Sequence, residues 1–477
     1  MNIKINRNSQ TPIYLQMKCA IQNLILSGEL SQGYKMPAER KLAEELSVHR
    51  NTVVKAYGEL VDAGYLIVSQ KRPKGYFVKE IADDGVQFNR FFPLEKMIRY
   101  HFNEKEKLFL DLFSRSDDKR YISMGGLVIS EDAYPREGLE EIIRDMGHGS
   151  KNEAERIKKN ICSVLFRENM YIRPKNIQLV SETNQALNHI MTLYLQKGDC
   201  VAAEEPVVPD NASIFRNKGI NLITVPMEAD GMDLSQLEAV IKKFAPKFIY
   251  TMPNYHNPTG IVMSLEKRKK LLELAGKFCI PIIEEDSQRD FRYEGIRLPS
   301  LYSLDRYRSV IYIDSFTLTF PHGIKTGYLV GPADLIETLG RLVVVDETTT
   351  SSVGQYLLNE YIERGYFDKH IHSLARHYAR KRDLLCQGLD RIAGQGIHYT
   401  KPRGGLLLWC SLEEHINERR LFQEAEQRNL LIMPGFLFYP EGYEGAGHVR
   451  LSYSNISDED IEKGVQILSE ALERSAE

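Results

Sequence analysis

Apolar side chains at Tyr14, Met17, Ile21, Leu24 and Ile25 recur with helical spacing, and Gly28 follows as a stop, so residues 13–27 are predicted to form an amphipathic helix. KLAEEL gives a second, short helix entered through MPAER, with Pro37 near its first turn. After the tight connection SVH, the buried stripe of a third helix is made by Val53, Val54, Tyr57, Leu60 and Val61. That stripe turns Arg50, Asn51, Thr52 and Lys55 outward near the helix start. YLIVSQKRPKGYFV then reads as two short strands around a basic turn tipped by Lys71, Arg72 and Lys74.

Residues 81–118 open with ADDG and close with SRSDDKR, which reads as linker. Between these ends Phe91, Phe92, Leu94, Leu108, Leu110 and Phe113 are too apolar for a free tether, so the linker is expected to be partly helical and to dock on the body or on a partner subunit. From residue 119 strands alternate with helices: IQLV, QALNHIMTLYL, CVAAE, KFIYTM, IPIIEED, VIYIDSF and TGYLVG. Continuous Val/Ile-rich runs separated by amphipathic helices predict a mostly parallel sheet covered on both faces. Ligands of such sheets bind at the carboxyl ends of the strands, which gives the following loops their interest. The expected organisation is a head at 1–80, the linker at 81–118, and an α/β body at 119–477 with a larger subdomain near 160–365 and a smaller α/β subdomain near 366–477.

Composition narrows the class. A chain of 477 residues, 43% hydrophobic and 27% charged, has the make-up of a soluble protein with more than one domain. No apolar run reaches the ~18 residues of a membrane span, and MNIKINRNSQ lacks a signal peptide's apolar core, so a cytoplasmic protein without membrane contact is expected. The cysteines at 19, 162, 200, 279, 386 and 410 show neither CxxC nor His-paired spacing, which argues against a disulfide framework and against a metal site. Residues 1–80 hold 12 Lys and Arg against 7 Asp and Glu, leaving −8 for the remainder. A basic head on an acidic body points to a polyanion bound at one end only.

The helix-turn-helix spacing, the basic hairpin and the local charge agree with one another. TPIYLQ, SGEL and MPAERKLAEELSVHRNTVVKAYGELVDAGYL resemble the winged helix-turn-helix (α+β) head of the GntR family. The resemblance implies double-stranded operator DNA as partner, with Arg40 and Arg50 as leading contacts and Thr52 on a phosphate. Asn51 and Lys55 lie beside them, and the wing residues Lys71, Arg72 and Lys74 approach the minor groove. His49 stands where serine is usual, which leaves no hydroxyl for a phosphate bond or a helix cap.

The motif order of residues 119–477 resembles aminotransferase fold type I, and the whole chain resembles a MocR-type regulator, a GntR head fused to such a body. The family cofactor is pyridoxal 5'-phosphate. Asn257 of NPTG matches the asparagine that meets its ring oxygen, Ser315 the serine that meets its phosphate, and Arg450 of VRLSYSN the arginine that binds a substrate carboxylate; Thr317 lines the same loop. Lys325 stands where an arginine grips the phosphate, which keeps the charge and loses the bidentate fork.

Other positions depart from the family. Glu182 and Thr183 replace the small residues at the phosphate-receiving helix start. A carboxylate ~4 Å from a phosphate costs roughly 4 kcal/mol per charge pair at an effective dielectric near 20, unless Glu182 turns away. Val208 replaces the stacking aromatic, Glu285 the aspartate on the ring nitrogen, and Ser287 the tyrosine two residues later; Asp286 is adjacent but on the opposite face of the strand. In SFTLTFPHGIKTG, Leu318 replaces the lysine and offers no nitrogen for a Schiff base. These residues imply a pseudo-aminotransferase with no covalent cofactor, dimeric like its family, that serves a transcriptional regulator as dimerisation or effector domain for a small carboxylate- or amine-bearing ligand. The competing expectation is a cofactor-responsive regulator, or an active aminotransferase with an atypical pocket.

Overall fold

The computed structural model describes residues 3, 5–7, 11–26, 29–69, 74–79, 102–135, 137–146, 152–321, 323–346, 350–440 and 447–476. The chain divides into two compact units, Met1–Arg99 and Tyr100–Glu477.

In the first unit, helices α1 (Ile13–Leu26), α2 (Glu39–Glu45) and α3 (Arg50–Asp62) precede the antiparallel strands β1 (Leu66–Ser69) and β2 (Gly75–Val78), with Leu66 opposite Val78. The expected stripes meet in one core of Met17, Ile21, Leu42, Val53, Tyr57, Leu60 and Leu66. Tyr57 is fully buried there, and its hydroxyl donates to the Pro37 carbonyl at 3.0 Å, so the polar tip of the largest core side chain is satisfied. Lys71 and Arg72, expected at the wing tip, lie outside the described residues.

The second unit begins with helix Glu104–Ser114, opened by a capping box in which Asn103 and Glu106 each bond the other's backbone N–H. This stretch of the expected linker packs Phe109 and Leu112 into the same core as the C-terminal sheet. Strand β3 (Ile122–Ser123) follows and pairs in parallel with Leu430–Leu431. The main sheet has eight strands in the order β4-β11-β10-β9-β8-β5-β6-β7. Its members are β4 (Ile177–Val180), β5 (Cys200–Glu205), β6 (Asn221–Glu228), β7 (Gly231–Met232), β8 (Phe248–Thr251), β9 (Ile282–Glu285), β10 (Val310–Ser315) and β11 (Gly327–Val330). Strands β6, β5, β8, β9 and β10 pair in parallel, while β11 runs antiparallel to both β10 and β4. Apolar cores on both faces, one around Leu187, Ile190 and Leu339 and one around Leu237, Leu271 and Leu301, explain why the strand sequences are continuously apolar.

A second, antiparallel sheet of residues 397–399, 407–412, 433–434 and 448–452 packs with helices Tyr366–Ile392, Glu418–Gln427 and Asp458–Ser475. No helix among the described residues is long and apolar enough to cross a membrane.

Candidate functional site

On the first unit, α3 starts at Arg50, and His49 closes its N-terminus: the imidazole Nδ1 accepts from the Asn51 backbone N–H at 3.2 Å. The expectation that losing the serine removes the cap is therefore corrected, because a ring nitrogen can accept the same bond as a hydroxyl oxygen. The Arg50 guanidinium reaches back to Glu39 Oε2, with Nη2 at 2.9 Å and Nε at 3.3 Å, while half of its side chain stays exposed. An exposed pair of this kind is worth ~0–1 kcal/mol, so the arginine is easily transferred to another acceptor. Arg40, Asn51 and Lys74 are exposed, and Thr52 is half-buried. Lys55 leans back over the Tyr14 ring, 3.8 Å from its centroid, so its stem is directed toward α1.

The body site gathers where β4, β5, β9 and β10 end. Gly327 of β11 pairs with Val180 of β4 on one side and Ser315 of β10 on the other. A side chain on Gly327 would meet Asp314, Ser315 and Val180 at 3.1–3.3 Å, so this close approach of three strands favours glycine. Glu182, two residues beyond Val180, is the N-cap of helix Thr183–Tyr194 and does not turn away. Its carboxylate accepts from Thr317 Oγ1 at 2.8 Å and from Ser315 Oγ at 3.3 Å. Ser315 and Thr317 are thus brought together with Glu182 across the intervening strand.

Next to this cluster, buried Glu285 accepts from Tyr250 OH at 2.6 Å, Thr183 Oγ1 at 3.1 Å and Ser287 Oγ at 3.3 Å. Tyr250 in turn accepts from Asn211 Nδ2 at 2.6 Å. Burial pushes the Glu285 carboxyl above its ordinary range; the Tyr250 and Thr183 hydroxyls pull it back, and the charge of Asp210 raises it further. Asp286 faces elsewhere, accepting from Asn254 at 2.7 Å and Tyr312 at 3.0 Å, as the strand's alternation requires.

Arg450 is 2% exposed. Its Nη1 donates to Asn257 Oδ1 at 3.0 Å and its Nη2 to the Gly125 carbonyl at 2.5 Å, and its guanidinium lies 5.0 Å from the Phe438 ring. Among the described residues it forms no ion pair, and its Nε has no hydrogen-bond partner. Burial lowers this guanidinium to about 10, opposed by Asp210, so it remains a cation at neutral pH. A buried cation with a donor left over has the chemistry to pair with an anionic group.

Val208 and Leu318 are taken up by packing: both touch the apolar core of the C-terminal sheet, Val208 as the N-cap of helix Pro209–Asn217. Lys325, expected at the phosphate, stands on the same loop. It is exposed, and among the described residues no hydrogen bond or ion pair joins it to Ser315, Thr317 or Glu182. A cavity of 1080 Å³ opens beside this cluster, between Tyr255, Asp286 and Arg289 at the strand ends and Arg403, Trp409 and His448. Glu182, Glu285, Ser315 and Arg450 do not line it.

The sequence reading missed Tyr250, Asn211 and Asp210. Tyr250 sits in KFIYTM, where a strand aromatic gives no sign of a hydroxyl aimed at a carboxylate 35 residues later.

Residues 148–468 match the family described as aminotransferase class I and II, and residues 13–78 match bacterial regulatory proteins, gntR family. YisV of Bacillus subtilis, named an uncharacterized HTH-type transcriptional regulator, is 26% identical over 98% of this chain and 98% of its own. The 2-aminoadipate transaminase of Thermus thermophilus is 29% identical over 74% of this chain and 90% of its own. The solved kynurenine aminotransferase of Pyrococcus horikoshii is 25% identical, with a TM-score of 0.73 over 82% of this chain and 98% of its own. Family membership implies pyridoxal phosphate for the body, and the gntR match implies double-stranded DNA for the head. The chain belongs to the class I and II aminotransferases, with a GntR winged helix at its N-terminal end, the fusion of a MocR-type DNA-binding regulator.

Proposed function

We propose that the chain is a sequence-specific transcriptional regulator whose body binds a small carboxylate- or amine-bearing effector and does not transaminate. The observation that carries this reading is the pairing of Leu318, an apolar side chain packed on the C-terminal core, with a Glu182 carboxylate already bonded to Ser315 and Thr317. The residues present do not fit pyridoxal phosphate as the family holds it: the phosphate's donors serve an internal anion, and no amine stands at 318. Arg450, buried and without an ion pair among the described residues, supports carboxylate recognition.

In this reading the head reads bases through Arg50, Asn51 and Arg40, with Thr52, Lys55 and the wing cations Lys71, Arg72 and Lys74 on the backbone. A homodimer contacts two half-sites, and an effector acts by binding the DNA-competent and incompetent arrangements with different affinity. A second reading, non-covalent response to the cofactor, is favoured by the retained Asn257 and Ser315. Against it, Asn257 accepts from Arg450 and Ser315 donates to Glu182.

The test is selection of duplexes from a random DNA library by the full-length protein, followed by thermal-shift titration with amino acids, their keto acids and pyridoxal vitamers. The expected result is a paired half-site motif and stabilisation by an amino acid without vitamer. Failure to enrich any motif would overturn the regulator reading, and turnover of an amino acid to its keto acid would overturn the non-catalytic one.

A further inference from the structure

The loop after β10 and the helix after β4 meet through one side chain. Thr317 Oγ1 and Ser315 Oγ donate to different oxygens of Glu182, at 2.8 and 3.3 Å, while the Thr317 backbone N–H donates to Ser315 Oγ at 3.3 Å. Glu182 is also the N-cap of a 12-residue helix, where the helix dipole favours negative charge. No side-chain bond to the helix's own N–H groups is made by this carboxylate; it is spent on the loop. Two hydroxyl donors and a helix start therefore surround an anion that belongs to the chain itself.

We propose that Glu182 is a tethered anion that closes this cradle, holding the Ser315–Thr317 loop in place and making the body indifferent to phosphorylated vitamers. The proposal rests on the non-catalytic reading above and adds the residue that enforces it. An incoming phosphate needs the Ser315 and Thr317 hydroxyls, which are already committed, and meets a like charge at the position it must enter. Glycine at 182 removes both obstacles. Glutamine removes the charge while its amide oxygen still accepts one hydroxyl, so it removes only part of the barrier.

The experiment titrates the full-length wild type, Glu182→Gln and Glu182→Gly with pyridoxal 5'-phosphate and with pyridoxal, which lacks the phosphate, and uses inorganic phosphate as competitor. Wild type is expected to bind the two vitamers alike. Glu182→Gly should bind the phosphorylated vitamer about tenfold or more tightly than wild type does, with pyridoxal unchanged and the gain cancelled by inorganic phosphate, and Glu182→Gln should fall between. The proposal is overturned if wild type already prefers the phosphorylated vitamer by as much as Glu182→Gly, or if neither variant gains although both melt cooperatively. Should Glu182→Gly fail to fold, the near-isosteric Glu182→Gln decides alone: no gain overturns the proposal. A borohydride-stable adduct on wild type would sink the non-catalytic reading instead, and that result is independent of the difference between variants.

Discussion

The two units of this chain treat the same kind of group in opposite ways. In the head, Arg50 is half exposed and paired with Glu39, and Arg40, Asn51 and Lys74 stand open. In the body, Arg450 is enclosed, and the acids Glu182 and Glu285 are committed to hydroxyl donors. A guanidinium held loosely at a surface can exchange a weak partner for a phosphate or base at little cost. A guanidinium in a dry pocket has already lost its water, so a matching carboxylate gains much and a mismatch costs much. The head suits a polyanion that arrives from solvent; in the proposed reading the body takes a small ligand of defined charge placement.

The comparison breaks most visibly at Arg50. Arg50→Ala should lower affinity for a selected duplex about ten- to a hundredfold, as expected for loss of a base-reading arginine. Lys463→Ala, a comparably exposed cation of the body, should leave it unchanged. Fluorescence anisotropy at fixed salt measures both, and equal losses would mean that α3 is not the reader. In the body, Tyr250→Phe removes a donor to Glu285 and the acceptor of Asn211, which should cost about 1–2 kcal/mol in denaturant unfolding. His49→Ala should cost the head about 1 kcal/mol by uncapping α3, with His49→Ser close to neutral.

A smaller effect is expected from pH. Burial pushes the Glu204 carboxyl up to about 7, against the hydrogen bonds it accepts from Thr251 and the Met252 backbone. The folded body keeps this proton to about pH 7, whereas the unfolded chain releases it near the ordinary glutamate value of ~4.5. Between these values the native state binds more protons, so this group makes stability fall as pH rises from about 4.5 to 7. Glu204→Gln should flatten that part of the melting-temperature profile; an unchanged slope would place the titration elsewhere.

Much of this was legible in the sequence, for a physical reason. Helix stripes such as Val53, Tyr57 and Leu60, and apolar runs such as VIYI, are local periodicities set by burial, and they reappear as α3 and β10. Leu318 and Glu182 were legible as departures from a family pattern. Where their side chains point was not: Glu182 meets Thr317 across 135 residues, and nothing local distinguishes a carboxylate that turns away from one that enters the cradle. Arg450 has the same ambiguity. Its composition suits a surface salt bridge as well as a pocket, and only the packing of Phe438 and Asn257 around it decides. The exposure of Lys325 was equally illegible, because it depends on the path of the loop rather than on the charge matched to a family position.

The most direct measurement is intact and peptide mass spectrometry of the native full-length protein after incubation with pyridoxal 5'-phosphate and borohydride reduction. The expected result is a pocket with no reduced adduct, with any labelling confined to scattered, substoichiometric surface lysines. Stoichiometric modification of a single lysine on the 315–327 loop, Lys325, would contradict a non-catalytic body and place a working amine where Leu318 leaves none.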